Sequence, residues 1–121
     1  MKILITGFEP FGSNNENSSW VVANKVATQN TFGIDIALEL MPVSFRSVAK
    51  TLRTAVMRHN PDLLIMLGQA GSSDKVRLER IAINMMDARN ADNDGFIPDE
   101  EPISIETPAA LFTNTDIKQL Y

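Results

Sequence analysis

The stretch Ile3–Gly12, ILITGFEPFG, decides how the rest of the chain reads. A short β-branched and leucine run from Lys2 to Thr6 has the composition of a buried strand and breaks at Gly7. Two phenylalanines, Phe8 and Phe11, then flank an acid and a proline. Proline fixes its own φ and restricts the residue before it, so the two rings sit on a stiff turn at a strand end. They are either core filling or the walls of a pocket. The turn continues through an Asn- and Ser-rich stretch, in which Asn17 or Ser18 is suited to cap a helix. Trp20, Val21, Val22, Ala23, Val26 and Ala27 supply that helix with an apolar face.

Further along, Ile34, Ile36, Leu38 and Leu40 alternate, which predicts a half-buried strand. Ser44 is placed to cap a second helix, with Phe45, Val48, Ala49, Leu52, Ala55 and Val56 at helical spacing. His59-Asn60-Pro61-Asp62 stops it, because Pro61 disfavours helix at the preceding residue. Asp62 to Leu67 is a second apolar strand leading into Gly68-Gln69-Ala70-Gly71, and Lys75 to Asn84 alternates as the longest extended candidate. Strand, helix, strand, helix, strand predicts an α/β fold, a three-layer α/β/α sandwich with a largely parallel sheet. Ligands of such sheets collect beyond the carboxyl ends of the strands, where the loops after the first and third strands both belong. Near the end, Asn114 or Thr115 is suited to cap a helix carrying Asp116, Ile117, Leu120 and Tyr121, and the sequence stops inside it. The expectation is a single domain over 1–121, incomplete at its C-terminus.

With 121 residues, 44% of them hydrophobic and 21% charged, the chain has the composition of one globular domain. Its net charge of −4 disfavours nucleic acid and anionic membrane surfaces as partners. No apolar run reaches membrane-spanning length, so a cytoplasmic protein is expected. The absence of cysteine excludes a disulfide, a thiolate metal site and a cysteine nucleophile within these residues. The one histidine, His59, sits at a predicted helix end, where a cation favours the helix dipole.

Asn90–Glu101, NADNDGFIPDEE, matches the spacing of a twelve-residue calcium loop, with Asn90, Asp92, Asp94 and Glu101 at ligand positions and Gly95 at the sharp turn. Its flanks argue against it: the upstream segment alternates like a strand, and Pro102 and Pro108 interrupt any exiting helix. A solvated acidic turn is the plainer reading. Neither a dinucleotide fingerprint nor a phosphate-binding loop is present. Glu79 lies between Arg77 and Arg80 in an alternating segment, where partial burial would require a cationic partner. From spacing alone it is an edge-strand ion pair. Arg89 reads as a possible anion binder or, more simply, as a partner of Asp87 or Asp92.

ILITGFEPFG, PDLLIMLGQAG, LERIAINMMDAR and ADNDG, in this order and spacing, together resemble pyroglutamyl peptidase I, a family of cysteine peptidases. The resemblance runs the length of the chain. It implies that Phe8 and Phe11 belong to the pocket for the pyroglutamyl ring, that Gln69 helps hydrogen-bond the lactam, and that Asn17 lies near the same pocket. It implies further that Glu79 is the glutamate of a Cys-His-Glu triad and that Arg89 lies beside the active site. The activity implied is removal of N-terminal pyroglutamate from peptides through an acyl-enzyme, without cofactor or metal, by a homo-oligomer that is tetrameric in the family. The cysteine and histidine of the triad belong to a later part of the family's sequence. These residues alone are therefore expected to be inactive, as a portion of a peptidase or as a remnant that binds pyroglutamyl groups or pairs subunits.

Overall fold

A computed structural model of the chain describes residues 1–120, Leu120 by its backbone alone. The described residues group into two compact units, Met1–Ala70 with Asp92–Phe96, and Gly71–Ala91 with the residues from Ile97 onward.

The first unit is built on three parallel strands, β1 (Lys2–Phe8), β2 (Asp35–Met41) and β3 (Leu63–Met66), in the order β2-β1-β3. β1 is central, and its residues Ile3 to Gly7 are buried on both faces. That explains why its sequence is a continuous apolar run rather than an alternation. Register sets the two faces: Ile3 lies between Ile36 and Leu63, and Ile5 between Leu38 and Ile65. These residues form one core with Ala23 and Trp20 of α1 (Ser18–Thr28). α2 (Val48–His59) covers the other face, since its Arg58 and His59 reach Glu39, which points away from Ile36 and Leu38. Three layers result, as the order of elements predicts.

Glycine decides how closely α1 docks. A Cβ on Gly7 would stand 2.8 Å from both the Cα and N of Trp20, and 2.9 Å from the Ser19 carbonyl carbon. Only a residue without Cβ lets the helix start rest on the strand. The Asn17 side chain caps that helix, accepting from the Ser19 N–H at 3.0 Å. For α2 the predicted start moves: the cap residue is Ser47, whose side chain makes no capping bond, and Ser44 acts one turn earlier by accepting the Ser47 N–H at 3.2 Å. α2 ends where expected, with Asn60 left-handed at φ 44 and its N–H bonded to the Val56 carbonyl. His59 stands in the last turn, its Nε2 3.4 Å from Glu39 Oε2 but making no hydrogen bond there.

The second unit corrects the longest expected strand. Of Lys75 to Asn84, only Ile81–Ile83 (β4) is ladder-paired, antiparallel with Ala110–Phe112 (β5). Alternation alone cannot supply a partner, and this ladder runs out at Arg80, whose carbonyl accepts the Thr113 N–H. β5, three residues behind a proline, was too short to read from the sequence. Among the described residues neither strand is covered, so Ile81, Ile83, Leu111 and Phe112 are exposed. The expected terminal helix is a 3₁₀ turn, Ile117–Leu120, begun by Asp116 rather than Asn114 or Thr115: Asp116 Oδ1 accepts the Lys118 N–H. Tyr121 lies outside the described residues.

Candidate functional site

Three loops leave the carboxyl ends of β1, β2 and β3, and together they enclose a concavity of about 230 Å³. Phe8, Phe11 and Asn17 line it from the first loop, Val43 from the second, and Gly68 and Gln69 from the third. This is the edge of the sheet, beside the point where strand order reverses around β1, at which parallel sheets collect ligands. Its volume lies below the ~300–1,000 Å³ typical of drug-sized sites, which suits a small ring or side chain. Phe8 is half-buried and Phe11 is 38% exposed, so both rings have open faces to offer.

Polar contacts at the rim are nearly all spent within the protein. Asn17, only 3% exposed, accepts the Ser19 N–H and the Ser19 hydroxyl through Oδ1, the latter at 2.6 Å, and donates from Nδ2 to the Glu9 carbonyl at 3.0 Å. The Val43 N–H donates to Glu9 Oε1 at 3.0 Å, and its carbonyl accepts the Asn93 N–H at 3.0 Å. Gln69 is different. Its Oε1 accepts from the Ser18 N–H at 2.8 Å and from the Ser18 hydroxyl at 3.1 Å. Those two donors fix which end of the amide is oxygen, and Nε2 is left to donate. The chemistry on offer is two aromatic faces, one aliphatic wall and one neutral donor.

Residues 92–96 are tied to this rim. Asn93 Nδ2 donates to Glu9 Oε1 at 2.9 Å and to the Pro10 carbonyl at 3.0 Å. Asp92 Oδ1 accepts the Asp94 and Phe96 N–H groups, and its Oδ2 accepts that of Phe45. Partial burial alone would raise the Asp92 pKa. The Phe96, Phe45 and Asp94 N–H groups and the Arg46 guanidinium outweigh that, and hold it below its ordinary value. Phe96 also packs edge-on to Phe45 and lies under the Arg46 guanidinium, 4.6 Å from the ring centroid.

These contacts favour the plainer turn reading of Asn90–Glu101 over the calcium loop. Asp92 spends both oxygens on backbone donors, and Asp94 Oδ2 accepts the Ser44 hydroxyl. The segment is flanked not by helices but by extended backbone, where Met86 and Glu101 bridge antiparallel. No group of three acidic, His or Cys side chains among the described residues is placed to hold a metal ion.

Of the residues singled out from sequence, Phe8, Phe11, Asn17 and Gln69 thus come together. Asn17 lines the cavity as a strut, with its polar atoms committed. Glu79 and Arg89 belong to the second unit and are exposed. The partial burial considered for Glu79 is not found, because Lys75–Arg80 lies outside any strand. Nor is Arg89 paired with Asp87 or Asp92, since among the described residues the ion pairs are Lys2–Asp35, Arg58–Glu39 and His59–Glu39. Sequence reasoning missed Glu9, Val43 and Asn93. Val43 carries no local signal, and Glu9 and Asn93 look like ordinary turn residues until their partners are known.

The fold and cavity define an α/β protein with a small, largely apolar cavity at the carboxyl edge of a parallel sheet. Comparison with known proteins narrows this further. The profile of the family described as pyroglutamyl peptidase matches residues 1–121, and the chain belongs to that family. It is 43% identical over 119 residues to the pyrrolidone-carboxylate peptidase of Bacillus subtilis (strain 168), covering 98% of this chain and 55% of that relative. To the pyrrolidone-carboxylate peptidase of Thermococcus onnurineus it is 40% identical over 120 residues, covering 99% and 60%. The crystal structure of pyroglutamyl peptidase I from Bacillus amyloliquefaciens superposes with a TM-score of 0.91 at 39% identity, covering 98% of this chain and 58% of that one. That of the Fervidobacterium islandicum pyrrolidone carboxyl peptidase gives a TM-score of 0.92 at 34% identity, covering 99% and 58%. The chain spans 55% to 60% of the length of these two curated relatives.

Proposed function

We propose that this chain carries the ring-recognition half of a pyroglutamyl peptidase: it binds the N-terminal pyroglutamyl group of a peptide in the cavity between Phe8, Phe11, Val43 and Gln69. The observation that supports this most is the composition of the cavity. A five-membered lactam is flat, neutral and has one carbonyl to satisfy, which matches aromatic faces and a single amide donor. A free α-ammonium would lose its hydration there, with no carboxylate among the described residues that line the cavity.

In the complete reaction a thiolate attacks the exocyclic carbonyl of the pyroglutamyl residue. The amide C–N bond then breaks as an imidazolium gives its proton to the leaving amine, and water hydrolyses the thioester to release pyroglutamate. Glu79 is the residue assigned to orient that imidazole, as the third member of such triads does, and Arg89 stands beside the reacting group. The 121 residues contain no cysteine. Their histidine, His59, sits in the last turn of α2 against Glu39. Thiol and imidazole therefore come from outside these residues, and 1–121 is one partial domain of the enzyme. Homo-oligomerisation, as a tetramer, and a cytoplasmic location belong to the same reading. Among the described residues, no helix is long and apolar enough to cross a membrane.

Calorimetric titration tests the binding claim. A peptide beginning with pyroglutamate should bind, the same peptide beginning with glutamine should bind at least about tenfold more weakly, and neither should be cleaved. Equal affinity for the two peptides would refute ring recognition, and cleavage by the chain alone would refute the assignment of the nucleophile.

A further inference from the structure

We propose that Glu9 is the positioning residue of the ring cavity, holding its walls in register without touching the ligand. This rests on the reading that the cavity takes a pyroglutamyl ring. Glu9 stands between the two phenylalanines in sequence, and its own atoms reach three other segments. Its N–H donates to the Met41 carbonyl at the end of β2. Its carbonyl accepts from Asn17 Nδ2, which ties it to the start of α1. Its Oε1 accepts from the Val43 N–H at 3.0 Å and from Asn93 Nδ2 at 2.9 Å. Asn93 in turn grips the Pro10 and Val43 backbones.

Two consequences follow for the cavity. The Phe8–Phe11 turn and the Val43 wall come from segments 34 residues apart, and the Glu9 carboxylate is the side chain that fixes the gap between them. The Glu9 carboxylate takes the Val43 N–H and the Asn93 N–H takes the Val43 carbonyl, so both backbone polar groups of Val43 are occupied. That wall presents only its aliphatic side chain, and the polar recognition falls to Gln69. Without the carboxylate, Val43 N–H loses its acceptor and Asn93 Nδ2 loses one of two, and the turn carrying Phe11 keeps only the Glu9 N–H bond to Met41 and the indirect tie through Asn93 to the second loop. Hydrogen bonds to a charged acceptor are stronger than neutral ones, which explains an acid at this place. A glutamine keeps an acceptor oxygen at the same reach, so it should conserve most of the geometry.

The test uses L-pyroglutamamide as probe, with binding followed by NMR on the full chain and on Glu9→Ala, Glu9→Gln and Asn93→Ala. Glu9→Ala should weaken binding about tenfold or more and shift the ring resonances of Phe8 and Phe11. Glu9→Gln should recover affinity to within about threefold of the unaltered chain. If Glu9→Ala is folded and binds like the unaltered chain, the proposal is wrong. A merely structural role would lower the melting temperature and leave the affinity of the folded protein unmoved, which also overturns it. Should Glu9→Ala not fold, Asn93→Ala decides: it removes the second grip on the same turn, and unchanged affinity refutes the clamp. If the unaltered chain does not bind the probe, the ring-recognition reading fails, and the Phe8 and Phe11 resonances still judge this one. Unshifted rings in Glu9→Ala or Asn93→Ala would then overturn it.

Discussion

The first unit is held together from within, and the second is not. In the first, β1 is covered on both faces, Leu4 is wholly buried, and Glu9, Asn17, Asp92 and Asn93 staple its loops. In the second, a three-residue ladder and a few turn bonds carry strands whose Ile83 and Phe112 are 62% and 71% exposed. Both units carry many apolar residues. What differs is whether each apolar face meets another, which is a property of topology. The difference also bears on the proposed function, since a cavity that selects one ligand needs fixed walls, and the cavity lined by Phe8, Phe11, Val43 and Gln69 lies in the first unit.

Substitutions can break or sharpen this contrast. The largest effect is expected at Leu4→Ala, which empties a fully buried site in the central strand and should cost about 2–5 kcal/mol in denaturant unfolding. Gly7→Ala comes next, at about 1–3 kcal/mol, because its Cβ meets helix backbone that cannot rotate away. Phe8→Ala should leave the fold largely intact and weaken pyroglutamyl binding about threefold to tenfold. If it unfolds the protein instead, the ring was core filling. Ile83→Thr, on the uncovered ladder, should change stability by no more than about 0.5 kcal/mol. A loss comparable to that at Leu4 would show that the second unit has a covered face after all.

A smaller test concerns acid. Asp92 has a folded pKa below its unfolded value of 3.8, so its stabilising contribution is complete above about pH 4 and fades as pH falls through the folded value. The urea midpoint of the unaltered chain should therefore drop on acidification below about pH 4. Asp92→Asn should start lower at pH 6 and drop less over the same interval. An identical acid response in both would mean that the turn contributes nothing through its charge.

Much of the first unit was legible from sequence because its signals are local. The apolar run of β1, the Asn17 cap and the proline stop after His59 each act within a few residues. The loops after β1 and β3 pointed to the sheet edge where the cavity lies, while the pocket role of Phe8, Phe11 and Gln69 came from the family resemblance and not from local spacing. What stayed hidden depends on distance. Glu9 and Asn93 are 84 positions apart, and nothing at either site signals the other. Lys75–Asn84 alternates like one long strand, yet only Ile81–Ile83 pairs, because alternation records which face is apolar and not whether a partner exists. The Asp92 turn resembled a calcium loop because Asn, Asp and Gly serve both purposes, and only the direction of the carboxylates separates them.

The most direct test of the central claim is to map the binding of L-pyroglutamamide onto the backbone amides by NMR. Saturable shifts are expected at Phe8, Phe11, Val43, Gly68 and Gln69, with the amides from Val76 to Ile83 unmoved. Saturable shifts confined to the second unit, or no shifts at millimolar probe, would contradict it.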